Sequence, residues 1–373
     1  MYSVFGEIVY TGSGVVKDTY IVFDGNKITR LSKRPVGKLL GKYPVITPAF
    51  IDAHAHIGME RAGEPSAEGE ANEHMESILP LPDALDSVQM DDKSFRESVE
   101  SGVLYSCVLP GSGNIIGGRS AVIRNYGNNS TEAFITRAGI KSAIGYNPIS
   151  TDSWKGTRPN TRMGAFAILR KKLYDVKLKL KKKKSREQLS ADEKILADLI
   201  QRKERLRVHG HKEDDIISML RIVDEFKLKI TIEHACDVHH EGVFKELKRR
   251  GIPVVYGPVD AFAYKVELKH EDWRNFKYLL SSGVKFGLMS DHPVILQRDL
   301  FLQLRWFLRH GLSKRDAISI ITKNNAEILG IDKYLGTLQP KKWASFIGWN
   351  GDPFSLESYP IAVYGEGNLL YSE

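Results

Sequence analysis

Two histidines stand two residues apart in the segment Ile46-Thr-Pro-Ala-Phe-Ile-Asp-Ala-His-Ala-His56. On a β-strand alternate side chains share a face, so His54 and His56 can converge on one ion, whereas a helix would splay them. Three more residues with ligand chemistry end other apolar runs. His209 closes Leu206-Arg-Val-His209, His234 closes Ile230-Thr-Ile-Glu-His234, and Asp291 closes Val284-Lys-Phe-Gly-Leu-Met-Ser-Asp291. A lone histidine at a strand end is more often a core or capping residue; the case rests on five such residues together. Four imidazoles and one carboxylate suit zinc, with iron or manganese as alternatives, and leave a position open for water. Water on such an ion ionises near neutral pH and can attack a carbonyl. Asp291, beside the ion, can take its proton and hand it to the leaving nitrogen. The chemistry expected is metal-dependent hydrolysis of a C–N bond.

These residues need strands whose ends meet. Apolar, β-rich runs at Gly102–Leu109, Leu206–His209, Leu228–His234, Ile252–Gly257 and Val284–Ser290 alternate with helical patterns such as Glu213–Phe226 and Leu300–His310. Such alternation predicts βα units around a parallel sheet. With no dinucleotide fingerprint or P-loop lysine in Gly111-Ser-Gly-Asn-Ile-Ile-Gly-Gly-Arg119, the reading is an α/β protein with a metal-dependent (β/α)8 TIM-like barrel, whose strand ends form one rim. Residues 1–47 show instead the apolar alternation and Gly/Asn turns of short antiparallel strands, and 336–373 repeat that texture. The expected organisation is a small β-sandwich built from 1–47 plus 336–373, and a catalytic barrel over 48–335.

Composition excludes several classes. The chain of 373 residues has a formal net charge of +8, much of it between Lys171 and Arg207. Residues at about 165–207, with the run Lys181–Lys184 and the capping box Ser190-Ala-Asp-Glu193, read as a charged helical excursion. Tyr174 is the one aromatic among those lysines, so a solvated helical pair is expected rather than a nucleic-acid or membrane surface. No apolar run reaches spanning length and no leader pattern opens the chain, which makes a cytoplasmic location the default expectation. The two cysteines, Cys107 and Cys236, sit in apolar stretches and read as small core residues.

The matched segments Thr47-Pro-Ala-Phe-Ile-Asp-Ala-His-Ala-His-Ile-Gly58, Pro110-Gly-Ser-Gly-Asn-Ile-Ile-Gly-Gly118, Val208-His-Gly-His-Lys-Glu-Asp-Asp-Ile216, Ile232-Glu-His234 and Ser290-Asp-His-Pro-Val294 are similar to those of the amidohydrolase superfamily, in its imidazolonepropionase-related branch. The ending Asn325-Ala-Glu-Ile-Leu-Gly330 followed by Gly336-Thr-Leu338 resembles the passage by which such proteins return to their β-sandwich. The resemblance implies His54, His56 and Asp291 around one metal position and His209 and His234 around a second. It also implies C–N hydrolysis, often of a cyclic amide, in a group that includes dipeptidases and deaminases.

Two departures bear on this. Where relatives read Gly-Glu-Asn-Pro, this chain has Gly145-Tyr-Asn-Pro148, so an acid that could bridge two ions is replaced by Tyr146. Lys141 is the remaining bridging candidate, as a carbamate, against its ordinary reading as an exposed or structural lysine; one ion is favoured over two. The Gly-Lys-Asp-Ala-Asp pattern near the C-terminus reads Lys341-Lys-Trp-Ala-Ser345, which predicts altered packing remote from the chemistry.

Loops after the strands select the substrate. The Glu-rich segment Gly58–Leu79 is expected over the mouth, and Asn114, Arg119, Tyr146, His211 and His292 are candidate polar contacts, with His211, two residues after His209, equally a candidate ligand. His239 and His240 lie past a strand end and face solvent; His74, His270 and His310 carry no positional argument. The partner expected is a small molecule, with neither nucleic acid nor membrane, and a homo-oligomer is compatible with the sequence. Alternatives on the same scaffold are a deaminase or dipeptidase, or a degenerate barrel that binds metal without turnover.

Overall fold

A computed structural model describes residues 1–149, 158–182 and 186–373, so Lys183 and Lys184 of the lysine run lie outside the described residues. Four strands open the chain: β1 (Tyr2–Tyr10), β2 (Val15–Asp24), β3 (Lys27–Ser32) and β4 (Lys38–Pro48). Eight follow: β5 (Phe50–Ala55), β6 (Val103–Val108), β7 (Ile116–Arg124), β8 (Phe134–Ala143), β9 (Leu206–Gly210), β10 (Ile230–His234), β11 (Val254–Tyr256) and β12 (Phe286–Leu288). Three close it: β13 (Phe346–Trp349), β14 (Pro360–Gly365) and β15 (Asn368–Ser372).

The two ends share one seven-stranded sheet in the order β15-β14-β13-β4-β1-β2-β3, in which β13 pairs antiparallel with β4. Its own core gathers Phe23, Phe346, Tyr364, Ile21 and Ile46. The Tyr43 and Tyr364 hydroxyls meet within it at 3.1 Å. The departure at Lys341–Ser345 falls here: Trp343 stacks on Tyr334 with centroids 4.9 Å apart, and Ser345 Oγ meets the Tyr105 hydroxyl at 2.7 Å, tying the end sheet to β6.

β5 to β12 form a second sheet that curls into a nearly closed eight-stranded barrel. Seven strands run parallel, but β7 is antiparallel to both β6 and β8, so this is not a uniform (β/α)8 alternation. Antiparallel neighbours need only a hairpin connection, which is why no helix separates β6 from β7. Parallel strands need a crossover, and the charged segment supplies one between β8 and β9. It is therefore part of the barrel's winding rather than an excursion from it. Its helices, Arg162–Lys181 and Ala191–Ile200, bury Leu169, Leu173, Val176, Ile195, Leu196 and Leu199 in the main core, and the Ser190/Glu193 capping box forms. Their lysines stay on the outer face, with Lys177 over the Phe226 ring at 5.1 Å. Helix Glu213–Phe226 forms over the expected residues. The expected helix Leu300–His310 is divided into a 3-10 stretch, Gln297–Gln303, and an α-helix, Leu304–Arg309, because Gln297 and Gln303 turn inward to bond the strand ends. Both cysteines are buried and free. Among the described residues no helix is long and apolar enough to cross a membrane.

The seam between β12 and β5 is closed by side chains. Asn325 donates through Nδ2 to the carbonyls of Ile51 (2.6 Å) and Leu288 (2.9 Å) and accepts from the Leu288 amide (3.1 Å). Gly287 makes room for it, since a Cβ there would collide with the Asn325 side-chain oxygen. Above it Asp52 accepts from the Ser290 amide (3.1 Å) and Gln297 Nε2 (2.8 Å), and two backbone bonds cross, Asp291 N to His54 O and His56 N to His292 O, both 3.0 Å. Burial pushes the Asp52 carboxyl up to about 6 despite the bonds from Ser290 and Gln297. Asn325→Ala should strand three buried backbone groups and lower unfolding free energy by about 3 kcal/mol, read as a fall in the urea midpoint at unchanged slope.

Candidate metal centre

The rim of the barrel at the strand ends gathers the predicted residues. His54 lies on β5, and His56 follows it; His209 lies on β9, His234 ends β10, and Asp291 follows β12. The two-residue spacing works as expected: both rings reach Asp291 Oδ1, from His56 Nε2 at 3.3 Å and from His54 Nε2 at 3.4 Å. Ring centroids of His54 and His234 are 4.9 Å apart, and those of His209 and His234 are 4.3 Å apart. His211, expected as a ligand or a substrate contact, joins the same cluster, 4.9 Å from His209 and 4.7 Å from His234 by centroids. Two triads result, His54, His234 and Asp291, and His209, His211 and His234, the donor atoms within each lying inside 4.8 Å of one another. His234 is common to both.

Local backbone geometry makes this convergence. His234, Ala235 and Asp291 hold positive φ (76°, 58° and 51°), turning the chain at the ends of β10 and β12 so that residues beyond the regular alternation still face the barrel axis. Left-handed conformations cost non-glycine residues about 1–3 kcal/mol and concentrate at functional sites.

Hydrogen bonds set the direction of each lone pair. His56 Nδ1 donates to the Leu109 carbonyl (2.8 Å) and His234 Nδ1 to the Gly257 carbonyl (2.9 Å). His54 Nδ1 faces Glu233 Oε2 at 3.0 Å, and His209 Nε2 faces Glu267 Oε1 at 3.1 Å. The opposite nitrogens carry the lone pairs. His234 Nε2, His209 Nδ1 and His211 Nδ1 are buried without a hydrogen-bond partner, and an orphaned polar atom in a protein interior calls for a ligand. Desolvation holds His54, His209, His211 and His234 well below the ordinary imidazole range, so all four are neutral donors at neutral pH. Burial alone would raise Asp291, but its electrostatic interactions with His234, His56 and Lys141 hold it down to about 2. Neutral nitrogens and an ionised carboxylate, mutually oriented, fit a borderline divalent cation.

Lys141 is not exposed. It projects from β8 into the barrel, fully buried, with Nζ 3.2 Å from His54 Nε2. Desolvation lowers it to about 8, with Asp291 and Glu233 opposing that shift.

The remaining candidates divide. His292 is buried near the rim; Nδ1 accepts from the Gln297 amide (3.2 Å) and Nε2 is without a partner. Tyr146 contributes its backbone amide to Glu267 Oε2 (3.1 Å). Asn114 does not reach the cluster: its amide is spent on the carbonyls of Glu73 (2.9 Å) and Glu76 (2.7 Å), fastening the Glu-rich segment to the loop before β7. Arg119 pairs in register with Ile140, which pairs with Leu206 at the foot of β9, so it stands at the wrong end of the barrel.

Four charged residues at the site were not singled out from sequence. Glu233, one residue before His234, accepts from Arg207 Nη2 (3.0 Å) and the Thr231 hydroxyl (2.6 Å) besides facing His54. Arg207, fully buried, also donates to the Ala53 carbonyl (2.7 Å). Glu267 and Lys265, 2.7 Å apart, arrive on the segment after β11. Charged residues inside apolar strand runs, Arg207 in Leu-Arg-Val and Glu233 in Ile-Thr-Ile-Glu, were the available signal for the first two; Glu267 had none, because its loop has no periodicity. The gap beside His211 and Asp291 is walled by Lys265 and the apolar Cys236, Leu268 and Val294. Glu233→Ala should leave Arg207 charged and unpaired in the interior, lowering stability by about 3–5 kcal/mol in chemical denaturation, a loss that Arg207→Met in the same chain should partly restore.

A sequence profile described as "Amidohydrolase family" matches residues 185–369. Amidohydrolase tasK of Hapsidospora irregularis is 23% identical over 359 residues, which cover 88% of this chain and 36% of that protein, so the chain spans about a third of the length of this curated relative. The structure of an amidohydrolase from Thermotoga maritima MSB8 matches with a TM-score of 0.94 and 28% identity over 100% of both chains. That of A. niger ochratoxinase shares the fold at a TM-score of 0.62 and 13% identity, over 100% of this chain and 96% of that one. In sequence over residues 185–369 and in fold over its whole length, the protein is similar to the amidohydrolases, with an amidohydrolase-type α/β fold around a nearly closed eight-stranded barrel.

Proposed function

We propose that the protein is a metal-dependent hydrolase cleaving a C–N bond of a small molecule, a cyclic amide or N-acyl compound, with Asp291 moving the proton. The observation that carries this reading is the set of orphaned ring nitrogens on His209, His211 and His234 beside an ionised Asp291. His54, His56, His209, His234 and Asp291 would hold one ion, with His211 in reach; the donors suit zinc first and iron or manganese after it. A cation of this kind, when bound, polarises a carbonyl and acidifies water.

The chain's own residues supply the rest. Asp291 is half-buried and ionised, and its Oδ1 faces the lone-pair nitrogens of His54 and His56, where a cation would sit between them, while Oδ2 is left as proton acceptor. Returning that proton to the departing nitrogen completes hydrolysis without a second acid. Lys265, Cys236, Leu268 and Val294 line the gap beside His211 and Asp291, where they would shield a bound substrate from water on that side. The similarity of the matched motifs to the imidazolonepropionase-related branch favours a cyclic amide over a linear dipeptide. A second reading, two ions bridged by Lys141 as its carbamate, is favoured by the burial of Lys141 against His54 and its lowered basicity.

Elemental analysis of protein prepared without chelator and dialysed against metal-free buffer, which strips a solvent-exposed site, should find one divalent ion per chain, removable with loss of turnover on a panel of cyclic amides, N-acyl compounds and dipeptides. Asp291→Asn should lower kcat/KM by about 10²–10⁴; unchanged turnover would overturn the role given to Asp291. Two ions per chain, one of them lost in Lys141→Ala, would establish the second reading instead.

A further inference from the structure

Outside the barrel axis, a second group of ligand-bearing side chains gathers where the segment after β10 meets the segment after β11. Asp237, His239 and His270 each offer a donor atom within 4.8 Å of the other two. The His239 and His270 ring centroids are 4.5 Å apart at a tilt of 40°. The Asp237 carboxylate is buried and held in place: Oδ1 accepts from the His270 amide at 2.5 Å and Oδ2 lies 3.4 Å from His270 Nδ1. His239 donates through Nδ1 to the Asp237 carbonyl at 2.9 Å, which leaves Nε2 with the lone pair. Both rings are a little under half exposed, 45% for His239 and 44% for His270, so an ion can arrive from solvent. Glu213 stands behind them, its Oε1 3.9 Å from His239 Nδ1 and 3.1 Å from the His239 amide.

We propose that Asp237, His239 and His270 form a peripheral zinc site, separate from the barrel centre. Two imidazoles and one carboxylate, with the remaining positions open to water, are a donor set that zinc accepts and that magnesium or calcium, preferring all-oxygen shells, does not. The site joins two segments that are otherwise stapled by Asn275, whose Nδ2 donates to the carbonyls of Cys236 (3.2 Å) and His270 (2.8 Å). The segment it would clamp carries Lys265 and Glu267, and Glu267 touches His209. Zinc at the periphery therefore steadies the segment that supplies two charges to the rim, and stabilises the folded chain by mass action.

The test titrates zinc alone into the full-length protein, following stoichiometry by equilibrium dialysis and stability by thermal melting. Wild type should bind one zinc more than His239→Ala or His270→Ala, or bind it at least tenfold more tightly. Saturating zinc should raise the melting midpoint more in wild type than in either variant. His239 is at the surface, so its variant should fold; His239→Gln serves as a second variant of similar size. Equal stoichiometry and affinity in wild type, His239→Ala and His270→Ala would overturn the site. Loss confined to His240→Ala would also overturn it, by moving the ion to the Glu213–His240 pair, where Nε2 and Oε2 are 2.5 Å apart. Anomalous scattering at the zinc edge from a zinc-soaked crystal should peak between Asp237, His239 and His270, and its absence there would reject the assignment.

Discussion

The constraint on which the rim depends is the cost of burying imidazoles. A protonated ring loses hydration in the interior with nothing to replace it, so rings kept this dry stay neutral, and a neutral ring has one N–H and one lone pair. Every N–H must find an acceptor. The protein meets this with the carbonyls of Leu109 and Gly257 and the carboxylates of Glu233 and Glu267. Each bond sets a tautomer and, with it, the direction of the remaining lone pair. The acceptors therefore decide where a cation is attracted as firmly as the ligands do.

Those carboxylates in turn need counter-charges, which come from strand β9 for Glu233 and from the segment after β11 for Glu267. Arg207 answers Glu233, and Lys265 answers Glu267. A buried arginine beside a buried glutamate is weak as a source of stability, but removing either partner leaves an unpaired charge in the interior. The pair accordingly ties the orientation of His54 to the integrity of the barrel itself. The seam works in the same direction. Asp291 is aimed from a strained, left-handed backbone that would relax if β12 drifted from β5, and Asn325, Asp52 and the two crossing backbone bonds hold that edge together.

Much of the rim's geometry was legible in the chain. Apolar runs ending in His209, His234 and Asp291 are strands whose ends meet, and the His54/His56 spacing needs only the two-residue period of a strand. The capping box at Ser190 and helix Glu213–Phe226 formed as their local patterns require, because capping and amphipathic periodicity are short-range. The direction of β7 was not legible. An apolar strand buried on both faces reads alike in either orientation, and the orientation of β7 follows from which neighbours it pairs with. Asn114 and Arg119 depend likewise on pairing: Asn114 is fastened to the carbonyls of Glu73 and Glu76, and Arg119 lies within β7 opposite Ile140.

What the sequence determined by itself is which residues with ligand chemistry stand at the strand ends and the alternation that carries them, since residue type and strand period are local properties. Tertiary structure decided the rest. It settled His211 in the cluster, one of the two places the sequence left open, and sank Lys141 beneath His54. It also brought Glu267 to His209 across 58 residues of chain and drew Asp237, His239 and His270 together from two segments. Each of these is a meeting between residues distant in the chain, set by how the barrel closes, and no periodicity along one segment encodes which residues another segment will place opposite it.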